Sequence, residues 1–191
     1  MLESLKTLDE NLFLFLNAHH NPFFDQVMWL FSETVFWIPL YIFVLWMLHK
    51  RFPKHFWTVM LAIGLMIAAS DQLCNVFKYG VMRFRPTSEP HIQALVHTVN
   101  GYRGGTYGFY SAHASNAFSL ACFIIAAGVK QRKYIIPIVL IYAILTAYSR
   151  IYLGVHYPGD VLTGAVIGAI LGTTFAYIHN KMRARYLISW D

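Results

Sequence analysis

Five apolar runs decide what this chain can fold into. They cover roughly 27–48, 56–77, 114–129, 134–152 and 158–179. About twenty apolar residues in a helix cross the hydrocarbon core of a bilayer, so each run predicts a span. The third is short and is expected to begin near Ser111. Hydrophobic residues make up 57% of the chain and charged ones only 13%, about half the charge of an ordinary soluble domain. The sequence therefore predicts an all-α integral membrane bundle. About five transmembrane helices occupy 27–180, within one domain over 1–191.

The first 20 residues follow another pattern. Leu5, Leu8, Leu12 and Phe15 recur at helical spacing with Phe13 and Leu16 beside them, while Lys6, Asp9 and Glu10 fall largely on the other side. Residues 1–20 are expected to form an amphipathic helix lying in the membrane interface, broken by Asn21-Pro22. The stretch Leu12 to Leu16 is too short for the apolar part of a cleavable signal. Cys74 and Cys122 both fall inside apolar runs and read as small buried hydrophobes with free thiols.

Basic residues give the orientation. Lys50, Arg51, Lys54, Lys130, Arg132, Lys133, Lys181, Arg183 and Arg185 fall on one side of the expected spans. Lys6, Lys78, Arg83, Arg85, Arg103 and Arg150 fall on the other. The positive-inside rule makes the first side cytoplasmic. The N-terminal helix and the loop 79–110 then lie outside. The net charge of +6 sits in short blocks between apolar runs, which suits topology better than nucleic-acid binding. Gly164, Gly168 and Gly172 form a doubled GxxxG in the last run, expected to pack closely within the bundle. The chain is expected to be a monomer or a weak homo-oligomer.

Polar residues gather at the outer ends of the runs. Asp71, Asn75 and Lys78 share one helix face. Arg85-Pro86 follow, Ser111 and His113 open the third run, Ser149-Arg150 close the fourth, and His156 and Asp160 flank the start of the fifth. The topology brings these segments to one side of the membrane. Lys78, Arg85 and Arg150 supply three positive charges, and arginine forks match phosphate oxygens in pairs. Ser111 and the first amides of its helix add donors where the helix dipole favours an anion. Together they predict a phosphate cradle. No Cys or carboxylate cluster offers a full metal shell, so neither metal nor cofactor is expected.

These residues resemble the three-part signature of the type 2 phosphatidic acid phosphatase superfamily, which also holds vanadium-dependent haloperoxidases. Lys78 to Pro86 match KxxxxxxRP. Tyr110-Ser111-Ala112-His113 stand where PSGH is usual, and Ser149 to Asp160 match SRxxxxxHxxxD. Tyr110 and Ala112 depart from the usual Pro and Gly. The resemblance implies that His156 attacks phosphorus and forms a phosphohistidine, with Asp160 fixing its tautomer. It implies that His113 protonates the leaving oxygen and then activates water. Lys78, Arg85, Arg150, Ser111 and Ala112 would hold the phosphate.

Around this set, Asp71, Asn75, Glu33 and Ser149 are candidates for support. Tyr102, Arg103 and Tyr107, in a glycine-rich outer loop, are candidates for substrate contact. Vanadate in the same cradle would make an oxidising enzyme, but a membrane-embedded site suits a lipid better than a halide. A transporter would need polar residues continuing to the inner ends of the spans, and those ends are apolar. The expected function is a metal-independent lipid phosphatase of a bacterial inner membrane with its site facing outward. Undecaprenyl diphosphate ranks first as substrate, the 1-phosphate of lipid A second and phosphatidylglycerol phosphate third.

Overall fold

The computed structural model describes residues 2–128 and 132–187, and it is helical almost throughout. The helices are α1 (Leu2–Ala18), α2 (Pro22–Ser32), α3 (Ile38–Arg51), α4 (Phe56–Val81), α5 (Ala112–Ala126), α6 (Arg132–Tyr152) and α7 (Pro158–Met182). Short 3-10 turns cover Thr34–Trp37, Pro86–Ser88 and Gln93–Leu95. No strand forms among the described residues, only an isolated antiparallel bridge between Phe84 and Tyr107. The all-α expectation holds. Val129, which ends the third expected span, and Lys130 and Gln131 after it lie outside the described residues.

The first expected span, 27–48, is not one helix. α2 ends at Ser32, Glu33 is extended at φ −84° and ψ 126°, and the chain re-enters a helix at Ile38. The two pieces meet at a bend of 72°. A carboxylate in apolar surroundings favours an end where backbone can be solvated, and Pro39 suits the first turn of the helix that follows. Apolar periodicity in 27–48 carried no trace of this break. By length and composition α4, α6 and α7 can each cross a membrane, and the bent pair makes a fourth span if counted as one. α5 is apolar but has only 15 residues, a rise of about 22 Å.

α5 lies at the centre. Ala114, Ala117, Ser119, Ala121, Phe123 and Ile124 on it are all buried. The doubled GxxxG of α7 meets it directly. A Cβ on Gly164, Gly168 or Gly172 would collide with the carbonyl of Ser111, Ser115 or Ser119 respectively. Small residues four apart on both helices thus bring two backbones into contact, and the close approach expected from the sequence falls within the bundle. Beneath the site, Leu48, Phe52, Val59, Met66, Phe123 and Ile124 form the larger apolar core.

α1 docks by a mixed face, on which Phe13, Leu14 and Leu16 join an apolar cluster beside the polar Asp9 and Asn17. Leu5, Leu8, Leu12 and Phe15 stay exposed, while Phe13 is buried edge-on to the Tyr157 ring at 5.5 Å between centroids. The buried Asn17 amide donates to the carbonyls of Tyr152 (2.8 Å) and His97 (3.2 Å). The exposed leucine row suits a helix with lipid on its outer side.

Candidate active site

The turn between α6 and α7 carries His156, whose side chain is only 2% exposed. Its two ring nitrogens meet opposite partners. Nε2 lies 2.9 Å from an Arg85 guanidinium nitrogen. Nδ1 faces Asp160 Oδ2, four residues on in the first turn of α7, at 3.6 Å. Asp160 is itself held. Its Oδ2 accepts the Tyr157 amide at 3.1 Å, and its Oδ1 accepts from Arg83 at 2.9 Å. The Ser111 amide donates to the Asp160 carbonyl at 3.1 Å. The segments of the second and third motifs are therefore joined by backbone as well as by the glycine seam.

Arg85 sits on the loop after α4, pinned by a bond from its amide to the Thr106 carbonyl at 3.0 Å. Its guanidinium also donates to the carbonyls of Val155 (3.0 Å) and Tyr107 (3.2 Å). Arg150, near the end of α6, donates to Ser32 Oγ and, at 3.0 Å, to the Tyr102 hydroxyl. Burial, then the charges of Arg85, Arg150, His113 and Lys78, hold the His156 imidazole well below its ordinary pKa. A buried histidine kept neutral and oriented through Nδ1 presents Nε2 as a nucleophile toward fixed cations.

A family model, the PAP2 superfamily, matches residues 59–184. The chain belongs to the PAP2 superfamily. It is a membrane-embedded helical lipid phosphatase, a hydrolase of phosphate bonds. A lipid A 4'-phosphatase of Bacteroides thetaiotaomicron is 41% identical over 191 residues, covering 97% of this chain and 83% of that protein. The undecaprenyl-diphosphatase BcrC of Bacillus subtilis is 29% identical over 168 residues, covering 87% and 80%. A crystal structure of a PAP2-type phosphatidylglycerolphosphate phosphatase from Bacillus subtilis shares the fold. Its TM-score is 0.72 at 24% identity, over 96% of this chain and 89% of that one.

Within this PAP2 fold the remaining sequence candidates fall in different places. His113 and Ala112 open α5 and line a cavity of about 450 Å³ with Asp71. Asn75, Lys78 and Tyr107 line a second hollow, of about 330 Å³, on another side of Arg85. Ser111 is buried and caps α5, its Oγ accepting the Ala114 amide at 3.4 Å. Ser149 turns away, donating to the Thr146 carbonyl of its own helix at 2.7 Å. Arg103 is exposed, and its carbonyl accepts from Thr87 at 2.7 Å. Glu33 is exposed at the break after α2.

Three residues at the site were not singled out by their sequence context. Arg83 bridges Asp160 and Asp9, reaching Asp9 Oδ2 at 2.8 Å, with its guanidinium 3.9 Å from the centre of the Tyr157 ring. Burial works against its charge, but Asp160 and Asp9 outweigh that and hold its pKa above the ordinary value. Asp9 also accepts the Gly159 amide at 2.8 Å. Gly108 is buried over the pair, where a Cβ would lie 2.9 Å from Arg85 and 3.5 Å from both His156 Nδ1 and Asp160 Oδ2. Any side chain there would press on Arg85 and on the His156–Asp160 pair. Asp9 read as one polar residue on an amphipathic face, and nothing local ties it to a residue 150 positions away. Among the described residues, His20, Asp25 and His97 also group their ligand atoms within 4.8 Å, away from this site.

Proposed function

We propose that His156 is the nucleophile of a phosphatase acting on a phosphorylated glycolipid of the lipid A type, in a bacterial inner membrane with the site facing outward. The observation that carries the reaction is the placing of the His156 ring between Asp160 at Nδ1 and Arg85 at Nε2. Phosphate settling in the cradle takes the Arg85 donors, and the Nε2 lone pair attacks phosphorus. The bond from phosphorus to the lipid oxygen breaks, and His113 donates a proton to that oxygen. The lipid alcohol leaves. His113 then accepts a proton from water, water oxygen bonds to phosphorus, the P–N bond breaks, and inorganic phosphate departs. Lys78, Arg85 and Arg150 carry the charge that grows on the equatorial oxygens, with Ser111 and the amides at Ala112 beside them.

What supports the choice of lipid is the 41% identity to a lipid A 4'-phosphatase over nearly the whole chain. Undecaprenyl diphosphate, first in rank on the sequence alone, is the second reading, supported by the 29% identical BcrC relative. The distribution of basic residues supports the outward face.

The test is a panel of lipids with the purified protein in detergent. Phosphate release is read by colorimetry, and the phosphate lost from lipid A by mass spectrometry. Release from lipid A phosphate is expected, undiminished by excess chelator and inhibited by orthovanadate as a mimic of the pentacoordinate state. Activity abolished by chelator and restored by a divalent metal would overturn the mechanism.

A further inference from the structure

The cavity next to His113 is divided by chemistry. Its polar lining includes Asp71, His113, Asn116 and Thr34. Its apolar lining includes Trp37, Ile67 and the ring of Tyr142. Asp71 projects from α4 and Asn116 from α5, three residues after His113 and so on nearly the same helix face. Asn116 Nδ2 donates to Asp71 Oδ1 at 2.9 Å. Asn116 Oδ1 is buried with no hydrogen-bond partner. No cation pairs with Asp71 at ion-pair distance among the described residues. The wall thus offers a carboxylate and an unsatisfied amide oxygen, both acceptors, beside the group assigned to protonate the leaving oxygen.

The part of a substrate that must lie against this wall is the leaving group, because His113 has to reach the oxygen that departs. In a prenyl diphosphate the leaving group is itself a phosphate, and its negative charge would come to rest near the Asp71 carboxylate. In a phosphorylated sugar the leaving group is a neutral ring bearing hydroxyl and amide N–H donors, which two acceptors satisfy. A buried acceptor left unpaired is costly, so a site of this kind discriminates strongly against ligands without donors. We propose that Asp71 and Asn116 form a hydroxyl- and amide-binding subsite for the sugar that carries the scissile phosphate, and that they select a glycolipid phosphomonoester over a prenyl diphosphate. The apolar lining of the cavity takes the first part of the attached acyl chains. This rests on the reading of His113 and His156 as the hydrolytic pair.

The experiment measures kcat/KM of wild type, Asp71→Ala, Asp71→Asn and Asn116→Ala on three substrates. These are lipid A phosphate, undecaprenyl diphosphate and p-nitrophenyl phosphate, whose ring bears no hydroxyl. For Asp71→Ala and Asn116→Ala the glycolipid value is expected to fall about ten- to a hundredfold. The p-nitrophenyl phosphate value should stay within about twofold, which also reports that the variant is folded. Asp71→Asn removes the charge, and its undecaprenyl diphosphate value should rise. A uniform fall across all three substrates, or no change in the ratio of glycolipid to diphosphate, overturns the subsite. If wild type acts on the diphosphate and not on the glycolipid, the choice of lipid fails while the histidine pair stands. Turnover by a His156→Ala control would remove the foundation of both.

Discussion

The two sides of the His156 ring are built differently. The Nε2 side meets Arg85, a motif residue on the loop after α4, and the charges of Arg150 on α6 and His113 on α5 also act on the ring. The Nδ1 side is a chain of alternating charge, Asp160 to Arg83 to Asp9, that runs out of the bundle core and ends on α1. The first side faces the reaction. The second side faces a helix whose outer row of leucines is exposed. The difference teaches that the His156 ring, the proposed nucleophile, is braced by a part of the protein that lies at its edge. The groups meeting phosphate must be fixed to within fractions of an ångström. The groups orienting the ring need only hold one carboxylate in place.

The comparison breaks most completely at the ring itself. His156→Ala removes the atom that both sides serve, and its turnover should fall at least about ten-thousandfold, to the limit set by binding alone. Phosphate release and the absence of an acid-labile phosphoenzyme would check this. Persisting turnover would end the assignment of His156.

On the reacting side, Arg85→Ala should cost about a hundred- to a thousandfold in kcat, the scale of one lost transition-state donor. Orthovanadate inhibition should weaken alongside it. On the supporting side, Arg83→Ala should cost about ten- to a hundredfold in kcat with KM nearly unchanged, because no phosphate contact is lost. Arg83→Lys should recover part of this. Asp9→Asn, one step farther out, should cost only a few fold, since the carboxamide oxygen introduced there would still accept the Gly159 amide. Equal losses at Arg83 and Arg85, in both kcat and vanadate affinity, would show that the two sides are not distinct.

The smallest effect expected is with pH. An imidazole with an ordinary pKa of about 6.5 loses roughly tenfold in neutral form between pH 7.5 and 5.5. Burial and the surrounding cations lower the His156 pKa, so its neutral form survives as pH falls. The burst of p-nitrophenol release, which needs no proton from His113, should therefore change by less than about twofold over that range. A tenfold fall would mean that the cations do not act on the ring in this way.

The same division separates what could be read in the sequence from what could not. The motif residues stand at fixed local spacings, so Lys78 to Pro86 and Ser149 to Asp160 were legible. The structure brings Arg85 against the His156 ring. The glycine row of α7 was equally legible, because close approach demands glycine at every fourth position. Asp9 and Arg83 were not, since their pairing depends on how α1 is laid on the bundle and neither sits in a periodic pattern that another fold would forbid. The break at Glu33 was hidden for a related reason. Hydropathy records how apolar a segment is and carries no information about its direction. Ser149 shows what a motif leaves open, since its hydroxyl donates to the Thr146 carbonyl of its own helix.

α5 is short, and α4, α6 and α7 pack against it. Its ends are consequently matched to protein and not to the thickness of the bilayer. A thicker or thinner membrane acts on α4 and α7, whose 26 and 25 residues rise about 39 and 37 Å, and they answer hydrophobic mismatch by tilting. The backbone contact at the glycine seam and the bond from Ser111 to Asp160 carry His113 and His156 along together. Changes in acyl-chain length then alter how the whole bundle leans and leave the spacing of the two histidines alone. A cell that remodels its lipids to meet a new temperature keeps the geometry of this centre while the membrane around it changes.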